Sequence, residues 1–304
     1  MLRDRSVDSL LRWSPAQAVM QRRRRGLLAV LTYHAIPDGT DFERHLDVLE
    51  EMGTFVSLED VAANATERKP LPSRPILLTF DDGDPSVLDT AAPRLHARGI
   101  PGVVFLITDL IGTDHVLWTT EVEQLVASGG RTSVDAAADG RSLTRTLKRS
   151  SDNARRQAID ELRATATGER PKAAQLNARQ LAELGRLGVA IGSHTMSHPC
   201  LPQCSDDVIE REVFGSRDAL ADLLGQPPLA LAYPNGDHDG RSRLAASRAG
   251  YALAFRFDHR LSPIPPNDPY AISRLRVNEH SSANRVRTVV SGLHPALHHL
   301  RRRS

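Results

Sequence analysis

The sequence predicts an α/β fold built on a largely parallel sheet or barrel, and three observations predict it. Short apolar runs alternate with amphipathic segments from Gly26 to Phe255. At 304 residues the chain is long enough for an α/β barrel of roughly 200–250 residues and an insertion besides. Its least ordinary polar residues each follow an expected strand: His34, Asp81-Asp82, His194, and Tyr233-Pro234-Asn235-Gly236. Functional groups of such folds gather at those strand ends.

The elements follow in order. Gly26 to Tyr33, rich in Leu and Val, reads as a short buried strand. Asp41 to Met52 carries Phe42, Leu46 and Leu49 at helical spacing, with Gly53 as a stop. Pro75 to Phe80 is a second strand, and Asp84-Pro85 reads as an N-cap with proline at the first helical position. That helix ends near Gly99, and Val103 to Ile107 is a third strand. From about 109 to 176 the chain turns polar, with helices expected at Glu121 to Val126 and Asn153 to Ala166 around a Gly- and Asp-rich link. This stretch reads as an insertion placed to cap an active site. Asn177 then caps a helix to Leu187, Val189 to Gly192 is a strand, and Ser205 caps a long helix stopped by Gly225. Leu229 to Ala232 and Tyr251 to Phe255 are strands flanking a helix over Arg241 to Ala249.

Charge is nearly balanced, 39 Lys+Arg against 37 Asp+Glu. The basic clusters are terminal, Arg22 to Arg25 and Arg301 to Arg303. Residues 1–25 and 281–304 therefore read as solvated basic tails, with weak contact to an anionic membrane surface as their one expected use and no nucleic-acid groove. No segment approaches the length of a membrane span. The run from Gly26 lacks a small-residue cleavage site and continues into Tyr33-His34, so a cytoplasmic protein is expected. Cys200 and Cys204 cannot make a disulfide framework, and a zinc site on two thiols would want further ligands.

Two adjacent carboxylates, Asp81 and Asp82, repel unless something separates their titration or neutralises one. A divalent metal on one does this and leaves the other as a base; an acidic first helical turn is the plainer alternative. His194-Thr195-Met196-Ser197-His198 adds two imidazoles that share a face if the segment is helical. Two histidines and one carboxylate make a three-ligand set with open positions, as a catalytic metal requires.

Thr79-Phe80-Asp81-Asp82-Gly83 followed by His194-Thr-Met-Ser-His198 resembles the first two motifs of the polysaccharide deacetylase family, carbohydrate esterases that de-N-acetylate glycans. The resemblance runs from roughly Leu28 to Val277, insertion excluded. It implies a distorted (β/α)7-type barrel over 26–280, with Asp81 as catalytic base and Asp82, His194 and His198 as metal ligands. Zinc (Zn2+) is the expected ion, with Co2+, Ni2+ and Fe2+ also suited to such ligands. The third motif departs from the family: Ala232-Tyr233-Pro234-Asn235 lacks its arginine, and the backbone N–H of Asn235 becomes the expected oxyanion donor. No late Leu-x-x-His motif is recognisable, and His294, His298 and His299 lie in the basic tail. Instead Tyr33-His34 resembles the exopolysaccharide (poly-N-acetylglucosamine) branch, where an early histidine is the general acid, so that role falls on His34. Asp268-Pro-Tyr-Ala-Ile-Ser-Arg274 resembles a late segment of the same branch, so Arg274 is expected to stand in for the missing arginine by pairing with Asp81.

The expected partner is an N-acetylated sugar or glycan. Aromatic residues make up only 4% of the chain, which offers no obvious stacking platform for a long polymer. A deacylase or deformylase of a small or lipid-linked sugar is therefore the alternative within the enzyme class. A carbohydrate-binding homologue without turnover is the alternative outside it, and an intact Asp81 argues against that.

Overall fold

The computed structural model describes residues 11, 13–134 and 139–301. Ser14 caps helix α1 (Pro15–Arg23), its side chain accepting from the Gln17 N–H. Strand β1 (Leu27–Tyr33) follows, then α2 (Gly39–Met52) and the two-residue β2 (Thr54–Phe55). A capping box between Ser57 and Asp60 opens α3 (Leu58–Glu67). β3 (Pro75–Phe80) is buried throughout. Asp84 starts the next helix by accepting from the Ser86 N–H at 2.9 Å. The helix opens with a wide π-type turn over Val87–Ala91 and continues as α4 (Ala92–Arg98) into β4 (Gly102–Leu106).

The insertion folds as α5 (Trp118–Ala127), α6 (Gly140–Leu147) and α7 (Asp152–Thr165). The barrel resumes with α8 (Ala178–Arg186), β5 (Val189–Ser193), α9 (Asp206–Leu224) and β6 (Ala230–Ala232). It ends with α10 (Gly240–Arg248), β7 (Leu253–Phe255), β8 (Ser262–Pro263), β9 (Leu275–Arg276), α11 (Ala283–Val290) and α12 (Leu293–Arg301). Ser205 precedes α9 in extended conformation, but its side chain makes no capping bond.

The sheet order is β7-β6-β5-β4-β3-β1-β8, with β2 on β3 and β9 on β1. The β1–β8 pairing is antiparallel, whereas those of β1 with β3 and β9 are parallel. Ile272 bridges Phe255 while Arg276 lies opposite Thr32, so segment 272–276 spans the gap between β7 and β1. The result is the distorted (β/α)7-type barrel that the sequence predicts.

Strand periodicity sorts the core into layers. Leu28, Val30, Leu77, Val103, Phe105, Ala232 and Phe255 form the interior cluster, while Leu31, Tyr33, Leu78 and Phe80 pack outward against the helices. Full burial of each Leu, Val or Phe among them stabilises the fold by about 1.5–3 kcal/mol. Thr32, Thr79 and Ile272 occupy the inward parity, and His34, Asp81 and Arg274 are the next residues in those rows.

Three expectations need correction. The polar link inside the insertion contains α6, whose N-cap Asp139 accepts from Arg141 and Ser142 N–H groups. Its apolar stripe is just Leu143 and Leu147 with Thr144, too sparse to stand out in the sequence. Second, the segment after 280 is no solvated tail: α11 buries Val286, Val289 and Val290, and α2 packs against it. Third, the N-terminal arginines are not all in solvent. Arg24 is fully buried, its guanidinium donating to the Met52 and Arg74 carbonyls, and Gln17 of α1 is buried against Arg287 and Ser291. Arg22, Arg23 and Arg25 stay exposed, and residues 302–304 lie outside the described part. Among the described residues no helix is long and apolar enough to cross a membrane.

Candidate active site

Asp81 leaves β3 with its N–H donating to the Tyr33 carbonyl at 2.9 Å, so β1 and β3 deliver their chemistry side by side. Its carboxylate meets Arg274 through two parallel bonds, Nη1 to Oδ1 at 2.7 Å and Nη2 to Oδ2 at 2.8 Å. Both residues are buried, at 4% and 1% exposure, and the Arg274 guanidinium lies 5.6 Å from the centre of the Phe105 ring. A bidentate pair of this kind fixes orientation as well as charge. Burial pushes the Asp81 carboxyl up, but Arg274 and then His194 outweigh it and hold the group down at about 2. The pairing expected from the sequence is present.

Asp82, His194 and His198 each place one ligand atom within 4.8 Å of the others. His194 Nε2 and His198 Nε2 stand 3.5 and 3.6 Å from the same Asp82 Oδ1. The His194 Nδ1 is 2.7 Å from the Ala232 carbonyl, which fixes the proton on Nδ1 and leaves the Nε2 lone pair facing the cluster. Asp82 Oδ1 is buried with no hydrogen-bond partner, an arrangement costly without a cation. His198 is held neutral, its pKa depressed by burial first and by His194 next. These residues therefore fit a divalent transition metal. Gly83 belongs to the same turn: at φ +79° a Cβ there would come within 2.7 Å of Leu106 Cδ2.

The two histidines do not share a helix face. They are brought together by a turn in which Thr195 and His198 are left-handed, at φ 68° and 57°, and Asp82 and Asn235 are left-handed too, at 69° and 56°. Four non-glycine residues in this conformation at one site cost of order 1–3 kcal/mol each, so surrounding bonds must impose it. Glu212 of α9 supplies several. It is 2% exposed and accepts from Met196 N–H at 3.0 Å, Ser197 N–H at 2.8 Å and Ser197 Oγ at 2.6 Å. From the other side Trp118 Nε1 donates to the His198 carbonyl at 2.8 Å, and its ring packs under the Arg155 guanidinium.

His34 is exposed at the end of β1, close enough for its charge to act on Asp81, Asp82 and His198. Asn235 sits in a tight turn that Gly236 must close, because a Cβ on Gly236 would lie 2.3 Å from the Phe257 nitrogen. Lys148, at the end of α6, reaches across to donate to Asn235 Oδ1 at 2.6 Å. Sequence reasoning missed Lys148 and Glu212. One belongs to an unrecognised helix, and the other is an acidic residue on a helix stripe, which looks like surface. Cys200 and Cys204 are buried free thiols, pushed up to about 11 and 12 mainly by burial, and they stand outside the ligand set.

Comparison with known proteins agrees with this geometry. The polysaccharide deacetylase family matches residues 68–254, more than half of the chain. The chain belongs to that family. The deacetylase is 20% identical over 265 residues to YxkH of Bacillus subtilis (strain 168), a provisionally assigned polysaccharide deacetylase, covering 84% of this chain and 74% of the relative. Its fold is similar to that of Streptococcus pyogenes deacetylase PplD, solved with acetate, at TM-score 0.62, 20% identity, and coverage of 87% of this chain and 98% of that one. IcaB from Ammonifex degensii gives TM-score 0.60 at 20% identity, covering 88% and 97%. The protein is thus a metal-dependent hydrolase that removes N-acetyl groups from the amino sugars of a polysaccharide.

Proposed function

We propose that Asp81 is the general base of this deacetylase, His34 its general acid, and the Asn235 N–H its oxyanion donor. Arg274 positions Asp81, and Asp82, His194 and His198 hold a zinc ion. The observation that carries this reading is the buried bidentate Arg274–Asp81 pair beside a two-histidine, one-carboxylate set. A divalent ion bound there supplies Lewis acidity towards water and the acyl carbonyl.

The chain's own groups do the rest. Arg274 keeps Asp81 ionised, so the carboxylate is ready to take the proton of the attacking water. In this reading the Asn235 backbone N–H donates to the developing oxyanion, which the left-handed turn at Asn235 and its bond from Lys148 support. His34, exposed at the mouth, can donate to the departing amine, which cannot leave as an anion.

The test is acetate release from neutral N-acetylglucosamine oligomers by protein stripped of metal and then reloaded with zinc. Release that vanishes on chelation, returns with zinc and is missing in Asp81→Asn supports the assignment. Release that persists in Asp81→Asn removes Asp81 as base. For His34→Ala we expect unchanged metal content and turnover reduced about 10²-fold. Wild-type turnover in that variant would take His34 out of the reaction.

A further inference from the structure

The insertion sends one charged side chain onto the Asn235 turn. Lys148 directly follows α6, and its neighbour Leu147 is buried in the insertion's own core together with Cys200. The Asn235 carboxamide is held from both sides. Its Oδ1 accepts from Lys148 Nζ at 2.6 Å, and its Nδ2 donates to Cys200 Sγ at 3.5 Å. An ammonium has three N–H donors, and on the half-buried Lys148 this bond engages one of them.

A basic residue suits the C-terminal end of a helix, but that does not require it to reach another element. Nor is the charge neutralised where it ends. Asn235 Oδ1 is a neutral acceptor, and among the described residues no carboxylate forms an ion pair with Lys148. Asp237 feels the charge without pairing with it, and His198 of the metal set feels it too. A cation fixed beside a divalent-ion site is repelled in the resting enzyme. Negative charge developing on the acyl oxygen offsets that repulsion. The ammonium therefore favours the transition state over the ground state, as a rate-enhancing group must.

We propose that Lys148 is the cationic part of the oxyanion site. Its charge, held on the Asn235 side chain, stabilises the negative charge that forms on the acyl oxygen. As the water oxygen bonds to the acyl carbon, the water proton passes to Asp81 and the carbonyl π pair moves onto the oxygen. As the C–N bond breaks, that pair re-forms the carbonyl and the His34 proton goes to the nitrogen. Lys148 keeps its protons throughout. This role rests on the catalytic reading above and goes beyond holding the turn, because it requires the charge and not the bond alone.

The test measures kcat and KM on neutral N-acetylglucosamine oligomers, and acetate binding by calorimetry, for zinc-loaded wild type, Lys148→Met, Lys148→Arg and Asn235→Asp. The last variant separates charge from bond. Aspartate also tolerates the left-handed conformation and binds Lys148 at least as tightly, but it cancels the charge. In Lys148→Met and Asn235→Asp kcat is expected to fall about 10²-fold with KM within about twofold of wild type, while Lys148→Arg keeps most of kcat. Acetate, whose carboxylate stands in for the oxyanion, is expected to bind those two variants about tenfold more weakly at unchanged zinc content. Wild-type kcat and acetate affinity in Asn235→Asp would mean that only the bond matters, which overturns the proposal. Wild-type behaviour in Lys148→Met, or a loss confined to KM, overturns it as well. Acetate binding needs no turnover. If wild type hydrolyses no oligomer yet both variants bind acetate more weakly, the cationic site stands and the catalytic reading alone is counted against.

Discussion

An Arg274→Met variant is expected to lose kcat/KM by roughly 10²–10⁴-fold, the full contribution of a general base, and to lose stability by about 3–5 kcal/mol. Both effects have one cause. Asp81 is buried, and burial alone raises its carboxyl; Arg274 is the largest of the influences that lower it. Methionine fills much of the space of the arginine stem but leaves the carboxylate without its two donors. The buried group then takes up a proton, and a protonated Asp81 cannot accept another from water.

The pH dependence of stability separates this account from a simple packing defect. In the metal-free wild type Asp81 titrates near about 2 when folded, against 3.8 for an ordinary carboxyl. Between those values the unfolded chain binds more protons, so this group's contribution grows with rising pH. It is fully present above 3.8 and is lost as pH falls through about 2. In Arg274→Met the folded value lies above the unfolded one. The folded state then binds more protons just above 3.8, and the same group makes stability fall as pH rises. Urea melts of both proteins from pH 3 to 7 should show slopes of opposite sign for this contribution. Parallel curves would mean that Arg274 does not control the Asp81 charge.

Much of the barrel and of the first-motif chemistry was legible in the sequence, because both are written locally. Pro75 to Phe80 is an apolar run closed by Asp81-Asp82, and the structure ends β3 at the same residue. Arg274 was legible only through its likeness to a family segment, since nothing near it in the chain points to Asp81, 193 positions away. What stayed hidden was set by tertiary contact. The 194–198 spacing suits a helix, yet the loop is pinned as a left-handed turn by Glu212 and Trp118, which lie outside the motif. The terminal arginines look like solvent-seeking charge, but Arg24 finds two backbone carbonyls inside the fold and is buried on them. Likewise α11 looks basic along the chain, while its valines fall on one face and pack on α2.

Glu212→Ala carries the second large expected effect, and it acts on the metal without touching a ligand. The carboxylate accepts three bonds from Met196 and Ser197, the two residues between the left-handed Thr195 and the segment's last ligand, His198. Without it, two backbone N–H groups and a hydroxyl lose an ionised acceptor, at a cost of about 2–4 kcal/mol in stability. The turn also loses what opposes its relaxation to ordinary backbone angles, so His198 no longer stays aimed at Asp82. Zinc affinity should fall about 10–100-fold, the usual loss when support behind a metal ligand is removed. Competition against a chromophoric chelator measures this directly. Glu212→Gln keeps one acceptor oxygen and should fall between wild type and alanine. Arg156, which lies 3.6 Å from Glu212 Oε1, serves as a control because it makes no bond to the turn. If Glu212→Ala binds zinc as tightly as wild type, the turn holds its left-handed shape unaided, and the packing of Trp118 against His198 becomes the restraint to test.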